Sequence, residues 1–319
     1  MHIILGTMTF SDQVDQQIAA TMVNHFRDAG HTQVDTAFVY NKGKTEALLG
    51  NLNADEVLNG CQIAGKANPH GGPGLTAESV TMQLNTSLQR MGKTSLDLFY
   101  LHSPDLSTPI ADTLLAVQNL FEAGKFKRFG LSNYAAWQVA EIVELCHQNG
   151  WIKPTVYQGM YNALTRDVER ELLLCLSNYN MHFYAYNPLA GGMLTGKHIS
   201  VEEPPATGRF ATFEGYRDRY WKSSYFNVIS NFVKSFNEHD IQPAAAALRW
   251  LIHHSDIADV LDDAEHIVEH DIILGASSLN HFEQNLEACS AGPLPESIIT
   301  TINHGWEEIR PTCIKYFRP

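Results

Sequence analysis

Short apolar runs alternate with longer segments of helical periodicity along nearly the whole chain, and this alternation limits its fold more than any other feature. One long segment runs from Val14 to Ala29 and places Ile18, Met22 and Phe26 at helical spacing. The apolar runs predict buried β-strands, and the segments between them predict helices. These runs are IILG from Ile3, QVDTA from Gln33, QIAGK from Gln62, LDLFYLH from Leu96, RFGLSN from Arg128, TVYQG from Thr155, HFYAYNP from His182 and IILGASS from Ile272.

Repetition of this strand–helix unit, about eight times, predicts a parallel sheet covered by helices on its outside. A Gly-rich dinucleotide turn is missing, which favours a closed α/β (β/α)8 TIM barrel over the alternative, an open doubly wound sheet. The 319 residues contain no linker rich in Pro, Gly and Ser. We therefore predict a single barrel domain over residues 1–319, with long active-site loops at its C-terminal face.

The amino-acid composition limits the cellular compartment and the classes of binding partner. Hydrophobic residues make up 44% of the chain, enough for a sizeable core, and the net charge of -13 disfavours nucleic acid or an anionic membrane as a partner. The five cysteines are odd in number and widely spaced, which is typical of reduced thiols. No apolar run approaches the roughly 18 residues of a membrane span. These features predict a soluble cytoplasmic protein.

Two segments interrupt the alternation. Residues from about Gly191 to Lys222 form a long irregular stretch with Gly, Pro, Arg and aromatic residues. Loops of this length in compact domains are usually lids or binding loops, or are disordered. The second segment, IADVLDDAEHIVEHD from Ile257, is acidic and predicts a solvated surface insertion.

Four side chains with useful chemistry fall at or just after predicted strand ends. Asp35 ends VD, Lys66 ends IAGK and His102 ends LDLFYLH, while Tyr40 follows the second strand. In a (β/α) barrel these ends share the face where catalytic groups gather. Lysine and aspartate at the ends of such apolar strands are costly to bury unless they are paired.

Together these four side chains suit the reduction of an aldehyde or ketone. Tyr40 would donate a proton, Lys66 would lower the pKa of Tyr40, Asp35 would hold Lys66, and His102 would position the carbonyl. Taken singly, each has a plainer interpretation: Asp35 could cap a helix, Tyr40 could be a loop aromatic, Lys66 a surface charge and His102 a core histidine.

Other motifs fail on their surroundings. Gly43, Lys44 and Thr45 resemble the end of a phosphate loop, but Phe38 stands where its first glycine should be. Tyr40 and Lys44 have the Tyr-x-x-x-Lys spacing of short-chain dehydrogenases, yet Asn41 and Gly43 interrupt the helix that this motif needs. Fifteen histidines form no i, i+4 pair backed by a carboxylate, so no metal is expected.

The chain resembles the aldo-keto reductases over nearly its whole length. It looks most like the aflatoxin B1 aldehyde reductase subgroup, also described as succinic semialdehyde reductases. The matching segments are GHTQVDTAFVY, LDLFYLHSPD, GLSNYAAWQVAEI, PTVYQGMYNALTR, FYAYNPLAGGMLTGK, YRDRYWK and ILGASSLNHFEQN.

The resemblance implies a role for each matching residue. Tyr40 would be the general acid, Asp35 and Lys66 its tuning pair, and His102 the group that positions the carbonyl. Tyr186 would stack on the nicotinamide of NADPH. The remaining cofactor contacts would be Ser132, Asn133 and Gln158 at the carboxamide, Asn187, Leu189, Gly191, Leu194 and Lys197 at the pyrophosphate, and Arg209, Ser277, Gln284 and Asn285 at the adenosine end. Tyr216, Arg219 and Arg318, with His102, would face the substrate.

The sequence departs from the family pattern at one cofactor position. Many members carry an arginine in the last cofactor segment, where this chain has His281, so Arg209 is expected to meet the 2′-phosphate. The preference for NADPH over NADH, the physiological aldehyde and the oligomeric state stay open, although the subgroup suggests a homodimer. For Arg219 the alternative is a surface ion pair with Asp218 or Glu214.

Two other functions compete with aldehyde reduction. A cofactor-binding regulatory subunit, like the potassium-channel β subunits, would share the fold but serve in assembly. A metal-dependent barrel hydrolase would need ligand spacing that the sequence lacks. The subgroup motifs favour the reductase.

Overall fold

The computed structural model describes residues 1–70, 73–198, 200–203, 205–206, 208–212, 214–258 and 270–318. Eight parallel strands close into a barrel in which each strand pairs with its neighbours in sequence and β1 pairs with β8. The predicted fold class is therefore confirmed. The strands are β1 Ile3–Gly6, β2 Gln33–Asp35, β3 Gln62–Ala67, β4 Leu96–Leu101, β5 Phe126–Ser132, β6 Pro154–Met160, β7 His182–Tyr186 and β8 Asp271–Leu274.

Helices follow the strands and surround the barrel. Short 3₁₀ turns lie at Tyr40–Gly43, Asp167–Arg170, Ala190–Thr195 and Arg310–Thr312. The α-helices of the described residues are α1 Gln16–Asp28, α2 Lys44–Ala54, α3 Ala77–Met91, α4 Ile110–Glu122, α5 Ala136–Asn149, α6 Leu172–Asn178, α7 Arg209–Thr212, α8 Glu214–Tyr220, α9 Ser223–Asn237, α10 Pro243–His253, α11 Leu279–Ser290 and α12 Glu296–Ile309. None of the helices in the described part of the chain is long and apolar enough to cross a membrane.

Side-chain alternation along the strands separates two buried apolar clusters. The larger one packs the outer faces of the strands against the helices, and the smaller one fills the barrel interior. Because successive side chains of a strand point to opposite faces, Leu98 and Tyr100 share the inner face of β4 with His102, which follows it. The candidate site therefore lies directly above the apolar packing of the barrel interior, at the carboxyl ends of the strands.

The irregular stretch from Gly191 to Lys222 contains more structure than the sequence suggested. It holds most of the Ala190–Thr195 turn and the helices α7 and α8. Aromatic packing accounts for much of this order, since the ring of Phe210 lies 5.1 Å from that of Trp221 and 6.2 Å from that of Tyr216. The acidic insertion from Ile257 lies, from residue 259 to residue 269, outside the described residues.

Candidate active site

A buried lysine–aspartate pair lies at the carboxyl end of the barrel. Asp35 is the last residue of β2, and Lys66 is the second last of β3. The Lys66 Nζ atom lies 2.5 Å from Asp35 Oδ1, and their side chains are 0% and 4% exposed. Nζ also donates to the carbonyl oxygen of Thr36 at 2.7 Å. This pairing answers the cost of burying two charges at the ends of apolar strands.

Gln158 holds the other side of the same carboxylate. Its Nε2 atom donates to Asp35 Oδ2 at 2.8 Å from β6, on the opposite side of the barrel. Its amide nitrogen thus fixes Asp35, and the expected contact of Gln158 with a cofactor carboxamide stays a prediction. Burial lowers the pKa of Lys66, and the Asp35 carboxylate opposes that shift. The two contacts orient the carboxylate, and the carboxylate orients the ammonium group.

Tyr40 stands on a loop rather than on a strand. It begins the 3₁₀ turn Tyr40–Gly43, and the next two residues, Asn41 and Lys42, have left-handed backbone angles with φ of 47° and 58°. A left-handed residue other than glycine costs about 1–2 kcal/mol, so surrounding contacts must hold this turn. Asn41 supplies one such contact, because its side-chain nitrogen donates to the carbonyl oxygen of Phe10 at 2.7 Å.

The Tyr40 ring reaches the pair and the histidine. Lys66 Nζ lies 5.4 Å from the centre of the ring, and the His102 ring lies edge-on to it with centres 6.1 Å apart. Burial raises the pKa of Tyr40, and the Asp35 carboxylate raises it further. The shift is opposite to the one expected from Lys66, because burial of the phenol is its largest cause. Tyr40 is therefore protonated at neutral pH, as a proton donor must be.

His102 follows β4 and faces the same space. Burial lowers the pKa of His102 well below its usual range, and the nearby charges of Lys66 and Arg318 lower it further. The imidazole is therefore neutral and carries a single N–H. Its Nδ1 atom is buried and has no hydrogen-bond partner among the described residues. Such an orphaned polar atom fits a site that receives a polar ligand.

The expected nicotinamide residues form one connected group. Asn133 follows β5 with a φ of 65°, and its side-chain nitrogen donates to Ser132 Oγ and to the carbonyl oxygen of His102, both at 2.9 Å. The Tyr186 hydroxyl at the end of β7 donates to Asn133 Oδ1 at 2.8 Å. The structure thus brings these three residues together beside His102.

The expected pyrophosphate residues follow β7. Asn187 is buried, its Oδ1 atom accepts the Gly191 amide at 2.6 Å, and its Nδ2 atom donates to the Tyr220 hydroxyl at 2.9 Å. Leu189 and Leu194 pack in the core around this turn, whereas Lys197 beyond it is exposed. Asn187 therefore shapes the backbone of the segment, and Lys197 offers a cation at its end.

Two arginines stack on Tyr216 in the segment before α9. Arg209 donates from Nη1 to the Tyr216 hydroxyl at 2.9 Å, and its guanidinium centre lies 5.5 Å from the ring centre. Arg219 approaches the same ring at 5.2 Å. A Cβ atom on Gly191 would lie 2.5 Å from this ring, so glycine permits the close packing. These contacts link the expected adenosine-end and substrate residues.

The C-terminal segment completes the rim. The backbone amide of Arg318 donates to the carbonyl oxygen of Asn133 at 3.0 Å. A cavity of about 250 Å³ lies between this segment and the barrel, and Arg219, Arg318, Asn133 and Tyr186 all line it. A second cavity of about 200 Å³ lies at the opposite, amino-terminal end. The first cavity is the better candidate for a substrate site because Asn133, which lines it, donates to the backbone carbonyl of His102.

The expected adenosine residues lie apart, around the start of α11. Ser277 and Gln284 are exposed, whereas Asn285 is buried. The Ser277 hydroxyl lies 3.5 Å from Nδ1 of His281. Lys197 and Arg209 follow β7 along the chain and these residues follow β8, so both groups come after strand ends on the carboxyl face of the barrel.

A second ion pair, which the sequence did not predict, lies beneath the Tyr40 turn. Arg90 on α3 donates to the Glu46 carboxylate on α2 at 2.9 Å, and the Glu46 side chain is fully buried. A glutamate among the buried residues of an otherwise apolar helix face was the available signal. No group of three or more potential metal ligands occurs in the described ranges.

Comparisons with known proteins point to one family. The sequence model of the Aldo/keto reductase family matches residues 2–307. Human aflatoxin B1 aldehyde reductase member 2 is 45% identical, with 99% of this chain and 89% of that protein covered. Human aldo-keto reductase family 7 member A3 is 44% identical, with 99% of this chain and 96% of that protein covered. An aldo-keto reductase of Pseudocercospora fijiensis is 38% identical, with 93% of this chain and 100% of that protein covered.

Proposed function

Since this chain belongs to the aldo/keto reductase family and is an oxidoreductase, we propose that it reduces aldehydes to alcohols with NADPH. The observation that carries the proposal is the convergence of Tyr40, Lys66 and His102, with the Lys66 ammonium 5.4 Å and the His102 ring 6.1 Å from the Tyr40 ring. The relatives named as aldehyde reductases support the same activity. They do not favour the regulatory-subunit alternative.

The chemistry at the carbonyl requires a proton donor and a fixed oxygen. When bound, the nicotinamide cofactor supplies the hydride. The carbonyl oxygen gains negative charge as the hydride arrives, and Tyr40 gives it the proton. The neutral His102 donates its single N–H to the same oxygen and thereby holds it in place. Lys66 then stabilises the phenolate of Tyr40, and Asp35 keeps Lys66 oriented.

For the cofactor, Ser132, Asn133 and Tyr186 would hold the nicotinamide end. Arg209 and Lys197 would meet the phosphates, which supports NADPH because Arg209 offers a fork of donors to a phosphate. Ser277, Gln284 and Asn285 would contact the adenosine end. The charge of Arg209, rather than His281, would then set the preference for NADPH.

For the substrate, the cavity favours an acidic aldehyde such as succinic semialdehyde. Arg219 and Arg318 line the same cavity of about 250 Å³ as Tyr186, so two guanidinium groups face a ligand of this size. Arginine binds carboxylates through two parallel hydrogen bonds. Tyr216, stacked on Arg219, would support that arginine.

The first experiment follows the loss of NADPH and NADH absorbance with succinic semialdehyde and with an uncharged aromatic aldehyde, each with and without a chelator. We expect turnover of both aldehydes with NADPH, slower turnover with NADH, and no effect of the chelator. A protein that turns over neither aldehyde with either cofactor would overturn the proposal.

Arg219→Ala tests the substrate assignment. The variant should raise KM for succinic semialdehyde roughly tenfold or more while it changes KM for the aromatic aldehyde little, because only the acidic substrate loses a charge-assisted contact. Arg217→Ala removes the same charge from the same helix and should leave the ratio of the two KM values unchanged. Equal effects of Arg219→Ala on both substrates would exclude the carboxylate contact.

A further inference from the structure

Tyr40 differs from its partners in how its position is fixed. Asp35 and Lys66 lie within strands, and His102 directly follows one, so the register of the barrel places all three. Tyr40 lies five residues beyond the end of β2, in a turn with the left-handed residues Asn41 and Lys42. A turn of this conformation keeps its shape only where neighbouring groups hold it. One side of the turn is held by Asn41.

Arg90 holds the other side. Its Nη1 atom donates to the carbonyl oxygen of Phe38 at 3.3 Å, and its guanidinium centre lies 4.7 Å from the centre of the Phe38 ring. A Cβ atom on Gly43 would lie 2.4–2.7 Å from three guanidinium atoms, so the guanidinium lies directly against this glycine. Phe38 and Gly43 flank Tyr40. A single side chain therefore contacts both ends of the segment that carries it.

Glu46 keeps Arg90 in that place. The Glu46 side chain is fully buried and accepts from Arg90 Nη1 at 2.9 Å, while the Arg90 side chain is 29% exposed. A buried carboxylate is costly unless it is paired, so the pair resists separation. Because Glu46 belongs to α2 and Arg90 to α3, the packing of these helices is transmitted to the turn.

We infer that Arg90 is a positioning residue for Tyr40, and that the Arg90–Glu46 pair sets the distance of the Tyr40 hydroxyl from the carbonyl in the reduction proposed above. This role rests on the proposed function. It also explains the Gly43-Lys44-Thr45 sequence, which resembles part of a phosphate loop. Gly43 admits the guanidinium and a φ of 86°, and the Thr45 hydroxyl donates to the carbonyl oxygen of Phe10 at 2.9 Å.

The test uses the double variant Arg90→Met, Glu46→Gln, which leaves no lone buried charge. We expect kcat for aldehyde reduction to fall roughly 10- to 100-fold, because small displacements of a reacting group have effects of that size. The Kd of NADPH should stay unchanged. Hydrogen exchange of the backbone amides of residues 38–45 should accelerate. Arg90→Lys, which keeps the charge but loses the planar fork, should show a smaller change in kcat and in amide exchange.

A matched control separates positioning from general loosening. Arg166 and Glu169 form a comparable pair at 2.7 Å, with Arg166 stacked 5.0 Å from the ring centre of Trp250 and away from the Tyr40 turn. Arg166→Met, Glu169→Gln should lower thermal stability without slowing catalysis.

The background of Tyr40→Phe supplies the decisive comparison. If Arg90 acts through the tyrosine hydroxyl, the double variant should change the residual rate of Tyr40→Phe by less than about twofold. An equal loss in both backgrounds, or a normal kcat in the double variant, would overturn the inference. If the wild-type protein had no reductase activity, the proposed function itself would be wrong. If the double variant left amide exchange in residues 38–45 unchanged, only the positioning role of Arg90 would be wrong.

Discussion

The two ends of the barrel each contain a lysine–aspartate pair. The two pairs differ far more in the exposure of their side chains than in the distance between nitrogen and oxygen. At the carboxyl end, Lys66 and Asp35 are 2.5 Å apart with exposures of 0% and 4%. At the amino end, Lys127 and Asp97 are 2.8 Å apart with exposures of 70% and 28%. Burial lowers the pKa of Lys66, whereas the hydrogen bond that Lys127 donates to Asp97 raises the pKa of Lys127.

This difference shows why the same two residue types serve chemistry at one end and not at the other. Water screens the pair at the amino end, so a change in either charge has little effect on its neighbours. Within the barrel, screening is weak, and the charge of Lys66 reaches His102, whose pKa it lowers. Four experiments test this contrast, in order of decreasing expected effect.

Tyr40→Phe should have the largest effect because it removes the proton donor at the buried end. We expect kcat to fall by about 10²–10⁴, the usual contribution of general acid catalysis, with little change in packing. Steady-state reduction of an aromatic aldehyde measures this loss, and fluorescence titration with NADPH checks that cofactor binding survives. Near-normal turnover would refute the role of Tyr40.

Lys66→Met should reduce both catalysis and stability. It leaves Asp35 buried without its cation, and breaking a buried pair in this way costs about 3–5 kcal/mol of unfolding free energy. The rate should fall by about 10² or more, because the forming phenolate loses its stabilising charge. Denaturant unfolding and kcat would both be measured, and a stable, active variant would contradict the assigned pairing.

A histidine at the amino end of the barrel should change how the free energy of unfolding depends on pH, without affecting catalysis. Burial lowers the pKa of His270 from 6.5 to about 4, and its Nδ1 atom accepts the Phe183 amide at 3.0 Å. The unfolded chain therefore binds the proton first as the pH falls. The contribution of His270 is fully present above pH 6.5 and is lost progressively towards pH 4.

His270→Asn measures that contribution, since an amide oxygen can replace the acceptor and does not titrate. Between pH 7 and pH 5 the wild-type protein should lose about 2 kcal/mol of unfolding free energy relative to the variant. Their kcat values at pH 7 should be equal. Parallel stability curves across this range would show that His270 does not titrate as described.

Lys127→Met should have the smallest effect. It breaks the pair at the amino end in the same way that Lys66→Met breaks the buried one. Both side chains remain in contact with water, so neither kcat nor the thermal midpoint should change measurably. A large loss in either measurement would mean that burial does not explain the contrast between the two ends.

The parts of the site that strands place could be predicted from sequence. Asp35, Lys66 and His102 each end an apolar run, and the carboxyl ends of parallel strands share one face. The contact between Gln158 and Asp35 could not be predicted, because it joins residues 123 positions apart across the barrel. Nor could the left-handed angle of Lys42, since lysine carries no preference for that conformation.

The alternation of strands and helices also had a limit. Between β7 and β8 the described residues form several helices in succession, of which α9 and α10 are the longest, and α12 follows α11 with no strand between them. A strand–helix rule does not call for these elements, so the sequence prediction passed over them. They form because their apolar stripes can pack, α9 against α12 and α10 against α11.

The bond between Gln158 and Asp35 also bears on how the protein acquires activity as it folds. Asp35, Tyr40, Lys66 and His102 all belong to the first half of the barrel, from β1 to β4, whereas Gln158 comes from the second half. A half-formed barrel would thus possess all four reactive groups without the contact that orients their carboxylate. During refolding, enzymatic turnover should therefore return when the eight-stranded barrel closes, rather than when the first four strands form.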